Sequence, residues 1–208
     1  MTTDGGVSWK PQFECRAKVE VNGLPHEDTC HFQAADFPTP TIGYAVTNEV
    51  SDKSSVVFKT EDAGKSWKIV SFIPQATGIE NSFGFLDENT GFVCTYQGKM
   101  LGTYDGGKTW HGIPTNVPGG RPRIEFANPT GWTMQGKMWA YTTDGGKRWL
   151  SREVAFPTDV NAFSLPRSDR GYVVGDHGMV YRYRVVPADF TVAHGINAPV
   201  MPKIESNH

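Results

Sequence analysis

The sequence predicts an all-β fold built from repeated small sheets, and three observations predict it. An eight-residue pattern, Thr-x-Asp-x-Gly-x-x-Trp, is written four times, at residues 2–9, 60–67, 103–110 and 142–149. A second element, a glycine followed by an aromatic and apolar residues, recurs as Gly43-Tyr-Ala-Val, Gly91-Phe-Val-Cys, Gly131-Trp-Thr-Met and Gly171-Tyr-Val-Val. The composition, with 23 Gly, 14 Pro and 12% aromatic residues and no long apolar run at helical spacing, favours many short strands joined by turns.

The eight-residue unit has the chemistry of a tight turn between two strands. A short carboxylate (Asp4, Asp62, Asp105, Asp144) can bend back to accept backbone N–H groups, and a glycine (Gly6, Gly64, Gly107, Gly146) supplies the positive φ that a Cβ resists. The tryptophan (Trp9, Trp67, Trp110, Trp149) then opens the next strand, burying a large flat surface while its N–H finds a partner. Ser8, Ser66 and Thr109 precede the tryptophan in three copies, and Arg148 replaces them in the fourth. These residues are expected to be structural and not catalytic.

Between Cys15 and Cys30, two β-type runs flank Asn22-Gly23, the strongest short signal for a two-residue hairpin turn. That turn sets Cys15 opposite Cys30, so a hairpin insertion at about residues 15–30 with a disulfide is expected. A disulfide argues for an oxidising compartment. Cys94, in the second glycine-aromatic element, reads as a small buried hydrophobe. His26, Glu27, Asp28, Cys30 and His31 crowd one strand of the hairpin, but alternation sends neighbours to opposite faces, and no metal site is expected.

The glycine-aromatic elements recur about every 40 to 48 residues, a period that suits a four-stranded unit of a β-propeller. Each repeat reads as strand, turn, strand, turn, strand, Asp turn, strand. The last repeat lacks its Asp turn near position 184, while the chain opens on an Asp turn with no strands before it. Residues 7–15 are therefore expected to supply the outermost strand of the last unit. They would close a small propeller of about four four-stranded blades; the alternative is part of a larger propeller. Residues 1–187 form this domain and residues 188–208 a C-terminal tail.

A net charge of −2 and a pI near 6.3 give no basic excess for tracking nucleic acid, so no nucleic-acid partner is expected. No stretch approaches the ~20 apolar residues of a membrane span. Met1 runs into Thr2-Thr3-Asp4 without the basic and apolar regions of a signal peptide.

The repeated turn resembles the Asp-box, or BNR, repeat of sialidases, some endoglucanases, sortilin-type receptors and the photosystem II stability and assembly factors. Together with Gly-Tyr-Val-Val-Gly-Asp-His-Gly-Met-Val-Tyr at 171–181, it is most similar to the last family, over roughly residues 43–186 and the N-terminal copy. The resemblance implies a non-enzymatic protein-binding scaffold, assembly factor or accessory subunit outside the cytoplasm. Its partner would be another protein within a larger complex, and no cofactor is implied.

The runner-up is a sialidase-like glycoside hydrolase or a carbohydrate-binding lectin, with a glycan as ligand. Sialidases resemble one another in an arginine triad, which the segment Arg121-Pro-Arg-Ile-Glu does not reproduce. Partner-binding residues are expected on the loops away from the Asp turns: Gln97, Gln135, Asp176 and His177 from short turns, and Glu80, Arg121, Arg123 and Asp159 from the links between repeats. Arginine's planar fork makes Arg121 and Arg123 a contact patch for carboxylates.

Overall fold

A computed structural model describes residues 2–11, 13–21, 24–50, 54–74, 82–95, 97–115, 123–185 and 204–206. The chain first forms a two-stranded hairpin, β1 (Arg16–Val21) with β2 (Leu24–Thr29). Four four-stranded antiparallel sheets follow, each a simple up-and-down meander. Sheet I holds β3 (Phe32–Asp36), β4 (Gly43–Val50), β5 (Ser54–Thr60) and β6 (Lys68–Pro74); sheet II holds β7 (Phe83–Phe85), β8 (Gly91–Cys94), β9 (Met100–Thr103) and β10 (His111–Ile113). Sheet III holds β11 (Arg123–Ala127), β12 (Thr130–Gln135), β13 (Met138–Thr142) and β14 (Leu150–Glu153); sheet IV holds β15 (Val160–Arg167), β16 (Arg170–Gly175), β17 (Val180–Arg184) and β18 (Ile204–Ser206).

Alternation along each strand gives every sheet two apolar flanks, and the sheets stack flank to flank. Tyr44, Val46, Val57 and Ile73 of sheet I pack on Phe83, Phe85 and Val93 of sheet II. Phe92, Cys94 and Met100 of sheet II meet Ile124, Ala140 and Trp149 of sheet III. Trp132, Met134, Trp139 and Tyr141 of sheet III meet Phe163, Leu165, Val173 and Tyr183 of sheet IV. Burying one such side chain contributes about 1.5–3 kcal/mol.

The glycine of each glycine-aromatic element has a packing role. A ring lies flat against it: Phe37 on Gly43, Phe85 on Gly91 at 2.7 Å from where a Cβ would stand, and Phe126 on Gly131. The aromatic beside it projects to the other flank, where Tyr44, Phe92 and Trp132 are at most 1% exposed beneath the next sheet.

The expectation of a closed four-blade propeller is overturned. The first strands of the sheets run side by side, β3 by β7, β7 by β11 and β11 by β15, but no comparable contact brings β15 back to β3. The hairpin strand β1 pairs with β2 alone and joins none of the four sheets. Nor do residues 7–15 supply the last strand, for β18 from the other end of the chain pairs with β17, Tyr183 opposite Ile204.

The physical reason is a tether. Cys15 is bonded to Cys30, with Cα atoms 5.2 Å apart, directly ahead of β3. Phe13, Cys15 and Cys30 pack with Ala45, Val56 and Phe58, which holds the N-terminal segment on sheet I, at the opposite end of the stack from sheet IV.

The hairpin register matches the sequence expectation, Arg16 facing Thr29 through to Val21 facing Leu24; the Asn22-Gly23 turn itself lies outside the described residues. No helix among the described residues is long and apolar enough to cross a membrane.

Candidate functional site

The meander places the loops on two rims. One carries the Asp turns, between β5 and β6, β9 and β10, and β13 and β14. In each copy the threonine hydroxyl donates to the aspartate and accepts the N–H of the second glycine, 2.9 Å in the turns at Gly64, Gly107 and Gly146. The aspartate also accepts the backbone N–H four residues on, from Ser66 at 2.8 Å, Thr109 at 3.0 Å and Arg148 at 3.0 Å. The following side chain closes the ring: Ser66 Oγ and Thr109 Oγ1 donate to the second carboxylate oxygen at 2.6 Å, and Arg148 Nε does so at 3.1 Å.

These donors favour the ionised form. The hydroxyl and backbone N–H of Ser66 hold Asp62 down to about 2, and those of Thr109 hold Asp105 down to about 2. Burial pushes Asp144 up, but the bonds from Arg148 and Thr142 outweigh it and the carboxyl stays below its ordinary range.

The Asp turns are also stitched to neighbouring sheets. Trp67 and Trp110 donate their indole N–H to Gly64 and Gly107 carbonyls at 3.2 Å, and Ser71 of β6 donates to the Gly107 carbonyl across the first interface. In the fourth copy the Gly146 carbonyl instead accepts the hydroxyl of Tyr104, from the turn after β9, at 3.1 Å, and the buried Trp149 Nε1 has no partner among the described residues.

An open groove lies on this rim. It runs between sheets I and II, with a volume of about 740 Å³, and is lined by Lys59, Glu61, Lys68, Asn89, Asp105 and Lys108 among others. Lys59 and Glu61 form an ion pair at 2.9 Å, which draws the Lys59 pKa up and the Glu61 pKa down. The sequence reading put its candidate binding loops on the other rim and did not anticipate this groove. Lys59 and Lys68 directly flank the Asp turn at residues 60–67, and Lys108 lies inside the turn at 103–110 at a position the repeated pattern leaves variable.

The other rim holds the loops expected to bind. Glu80 and Arg121 lie outside the described residues. Gln97 is exposed in the β8–β9 turn, and Gln135 ends β12 partly buried. Asp159 and Asp176 do come together: the Asp176 N–H donates to the Asp159 carbonyl at 3.4 Å, and Asn161 donates to the Asp176 carboxylate at 2.7 Å. His177 is exposed in the adjoining 3₁₀ turn with φ of 56°.

Arg123 is engaged within the fold. Its Nε meets Glu125 Oε1 at 3.3 Å, while the other Glu125 oxygen accepts the Leu165 N–H of sheet IV at 2.7 Å. Asp36 does the same for Phe85 between sheets I and II, at 2.6 Å. Asp36 and Glu125 are thus sheet-joining carboxylates that the sequence pattern did not expose. Cys94 is buried beside Thr133, and burial pushes its thiol up to about 12, the state of an inert sulfur. Among the described residues no group of three His, Cys, Asp or Glu side chains is placed to hold a metal ion.

No family model and no curated protein matches the chain. Solved structures do resemble it. YCF48 bound to D1 peptide is 20% identical with a TM-score of 0.55, over 84% of this chain and 54% of that one. YCF48 from Cyanidioschyzon merolae is 12% identical with a TM-score of 0.54, over 88% and 62%. The GH74 enzyme of Niastella koreensis is 15% identical with a TM-score of 0.58, over 74% and 28%. The chain therefore spans between about a quarter and two thirds of these proteins, and the likeness is one of fold, shared by YCF48 and a GH74 enzyme.

Proposed function

We propose that this β-sheet domain is a non-enzymatic protein-binding unit of a larger assembly, taking an extended polypeptide segment in the groove between sheets I and II. The groove itself is the observation that carries this reading. Its walls are turns locked by their own hydrogen bonds, and its lining offers charges of both signs, Lys68 and Lys108 with Glu61 and Asp105, to a backbone that presents donors and acceptors alike. The carboxyls there are held ionised, whereas a glycosidase acid must be held protonated near neutral pH. The Cys15–Cys30 bond supports an oxidising, extracytoplasmic setting.

A peptide library selected on the wild type and re-measured on Lys68→Glu/Lys108→Glu tests it. Selected peptides are expected to lose about tenfold or more in affinity, a change of ~1.4 kcal/mol, with the melting midpoint unchanged. Equal binding to both proteins would remove the groove from consideration.

The second reading is a carbohydrate ligand, with or without hydrolysis. It is favoured by the GH74 enzyme having the highest TM-score of the three structures reported. Glycan-array binding, or reducing-sugar release from polysaccharides, would replace the first reading with this one.

A further inference from the structure

The outermost strands of the four sheets leave unequal edges. β10 and β18 have three residues each and β14 has four, whereas β6, Lys68–Pro74, has seven. Short edge strands are one way in which proteins keep free backbone N–H and C=O groups from templating another chain. β6 lacks that protection. Among the described residues it pairs with β5 alone, so the backbone groups that point away from β5, on every second residue, have no strand to meet.

A bulge sets which side chains stand along this edge. Ser71 lies opposite Val57 and Ile69 opposite Phe58, so Val70 is an extra residue between two neighbouring pairs. In a regular strand Ile69 and Phe72, three apart, would point to opposite flanks. The inserted residue brings them to the same one, that of their partners Phe58 and Val56, which share one core cluster. There Ile69 is 40% exposed and Phe72 44%. Lys68 and Ile69, by contrast, are neighbours in regular register and point to opposite flanks, yet both line the groove between sheets I and II, together with Val70. A groove lined from both flanks of one strand follows that strand's edge.

We propose that the segment taken by the groove pairs with the edge of β6 as a fifth strand of sheet I. This rests on the groove reading above and adds the mode of recognition and the pattern of the partner. Backbone hydrogen bonds to β6 would hold any extended segment, and alternation would select among segments. Every second side chain would lie beside Ile69 and Phe72, which favours apolar residues, and the intervening ones would face Lys68 and Lys108 with their acidic neighbours, which favours polar ones. A second copy's β6 is a poorer occupant, because it would bring its own bulge and Pro74, which has no N–H, whereas a free segment can adapt its register.

The test takes a peptide selected on the wild type whose binding is lost in Lys68→Glu/Lys108→Glu, and remakes it with one backbone amide methylated at a time. Each methyl removes a donor and blocks the close approach of two backbones, so strand addition is expected to show a loss of about tenfold or more at every second residue and little change between. In the full chain, saturation with the unmodified peptide should slow amide hydrogen exchange at alternate residues of β6 by about tenfold or more and leave β10 and β14 as they were. Losses without a period of two, or β6 amides that exchange as before, would overturn strand addition and leave the groove reading standing. Failure to select any peptide that depends on Lys68 and Lys108 would overturn both. A dimer in sedimentation that the peptide dissolves would show a second copy to be the occupant of the edge, and would also overturn the proposal.

Discussion

The Asp turns at residues 2–9 and 142–149 share a sequence pattern and differ in almost everything around it. In the first, Asp4 accepts the Thr2 hydroxyl at 2.6 Å and the Ser8 N–H at 3.0 Å, Gly6 donates to Thr2 at 2.9 Å, and Trp9 donates to the Gly6 carbonyl at 3.1 Å. The second repeats the first three of these bonds at Asp144, Arg148 and Gly146. Yet Trp9 is 71% exposed and Trp149 only 9%. Among the described residues no strand adjoins the turn between residues 2 and 9, and its geometry is held by local hydrogen bonds. Whether it contributes to the core depends on Phe92 and Phe126, rings from elsewhere in the chain that pack on Trp149.

The sharpest way to break this comparison is a methyl group at the second glycine. At Gly146 a Cβ would run into the Phe92 ring, and φ is already 82°; at Gly6 φ is 95° but the nearest atom is 4.0 Å away. Gly146→Ala is expected to cost about 3 kcal/mol, overpacking added to backbone strain, and Gly6→Ala about 1 kcal/mol or less, both read by urea unfolding. Equal losses would mean that the fourth turn is no better supported than the first.

The aspartates come next. Asp105→Ala leaves the Lys108 and Thr109 N–H groups without their acceptor and is expected to cost ~1–3 kcal/mol, whereas Asp4→Ala should leave the melting midpoint where it was. The same bonds set a pH window. Asp62 and Asp105 titrate lower in the folded chain, at about 2, than the ordinary value of 3.8 they regain on unfolding, so their contribution is complete above about pH 4. It is lost as the pH falls through about 2. Thermal melts between pH 5 and 2 should show a steep decline that is shallower in Asp105→Asn, and parallel curves would contradict the assignment.

The smallest effect expected is a gain. Gly5, Gly106 and Gly145 adopt positive φ one residue after the aspartate, and the second copy places Ala63 there with φ of 59°. Ala63→Gly relieves that strain at the cost of extra freedom in the unfolded chain, for a net stabilisation of under about 1 kcal/mol in the same urea assay.

Much of the fold was legible from residues alone: the turns, the hairpin register and the four strands per repeat all follow from local chemistry that repeats. What was not legible is non-local. The closing strand of sheet IV comes from Ile204–Ser206, in a segment without periodicity, so no pattern pointed to it. Asp36 and Glu125 join sheets through single side chains, and the register puts Gly84 and Ser164 at the equivalent positions, so the feature never appears as a repeat. The groove was hidden for a related reason, since it exists only where two sheets meet.

The disulfide-tied hairpin over Ala45, Val56 and Phe58 has one more effect. A stack of like sheets invites growth, the last layer of one molecule settling on the first layer of the next, and such a head-to-tail contact never closes on itself. Here the tied segment already covers Ala45, Val56 and Phe58 on the first layer, which takes from a head-to-tail contact part of one of the two faces it needs.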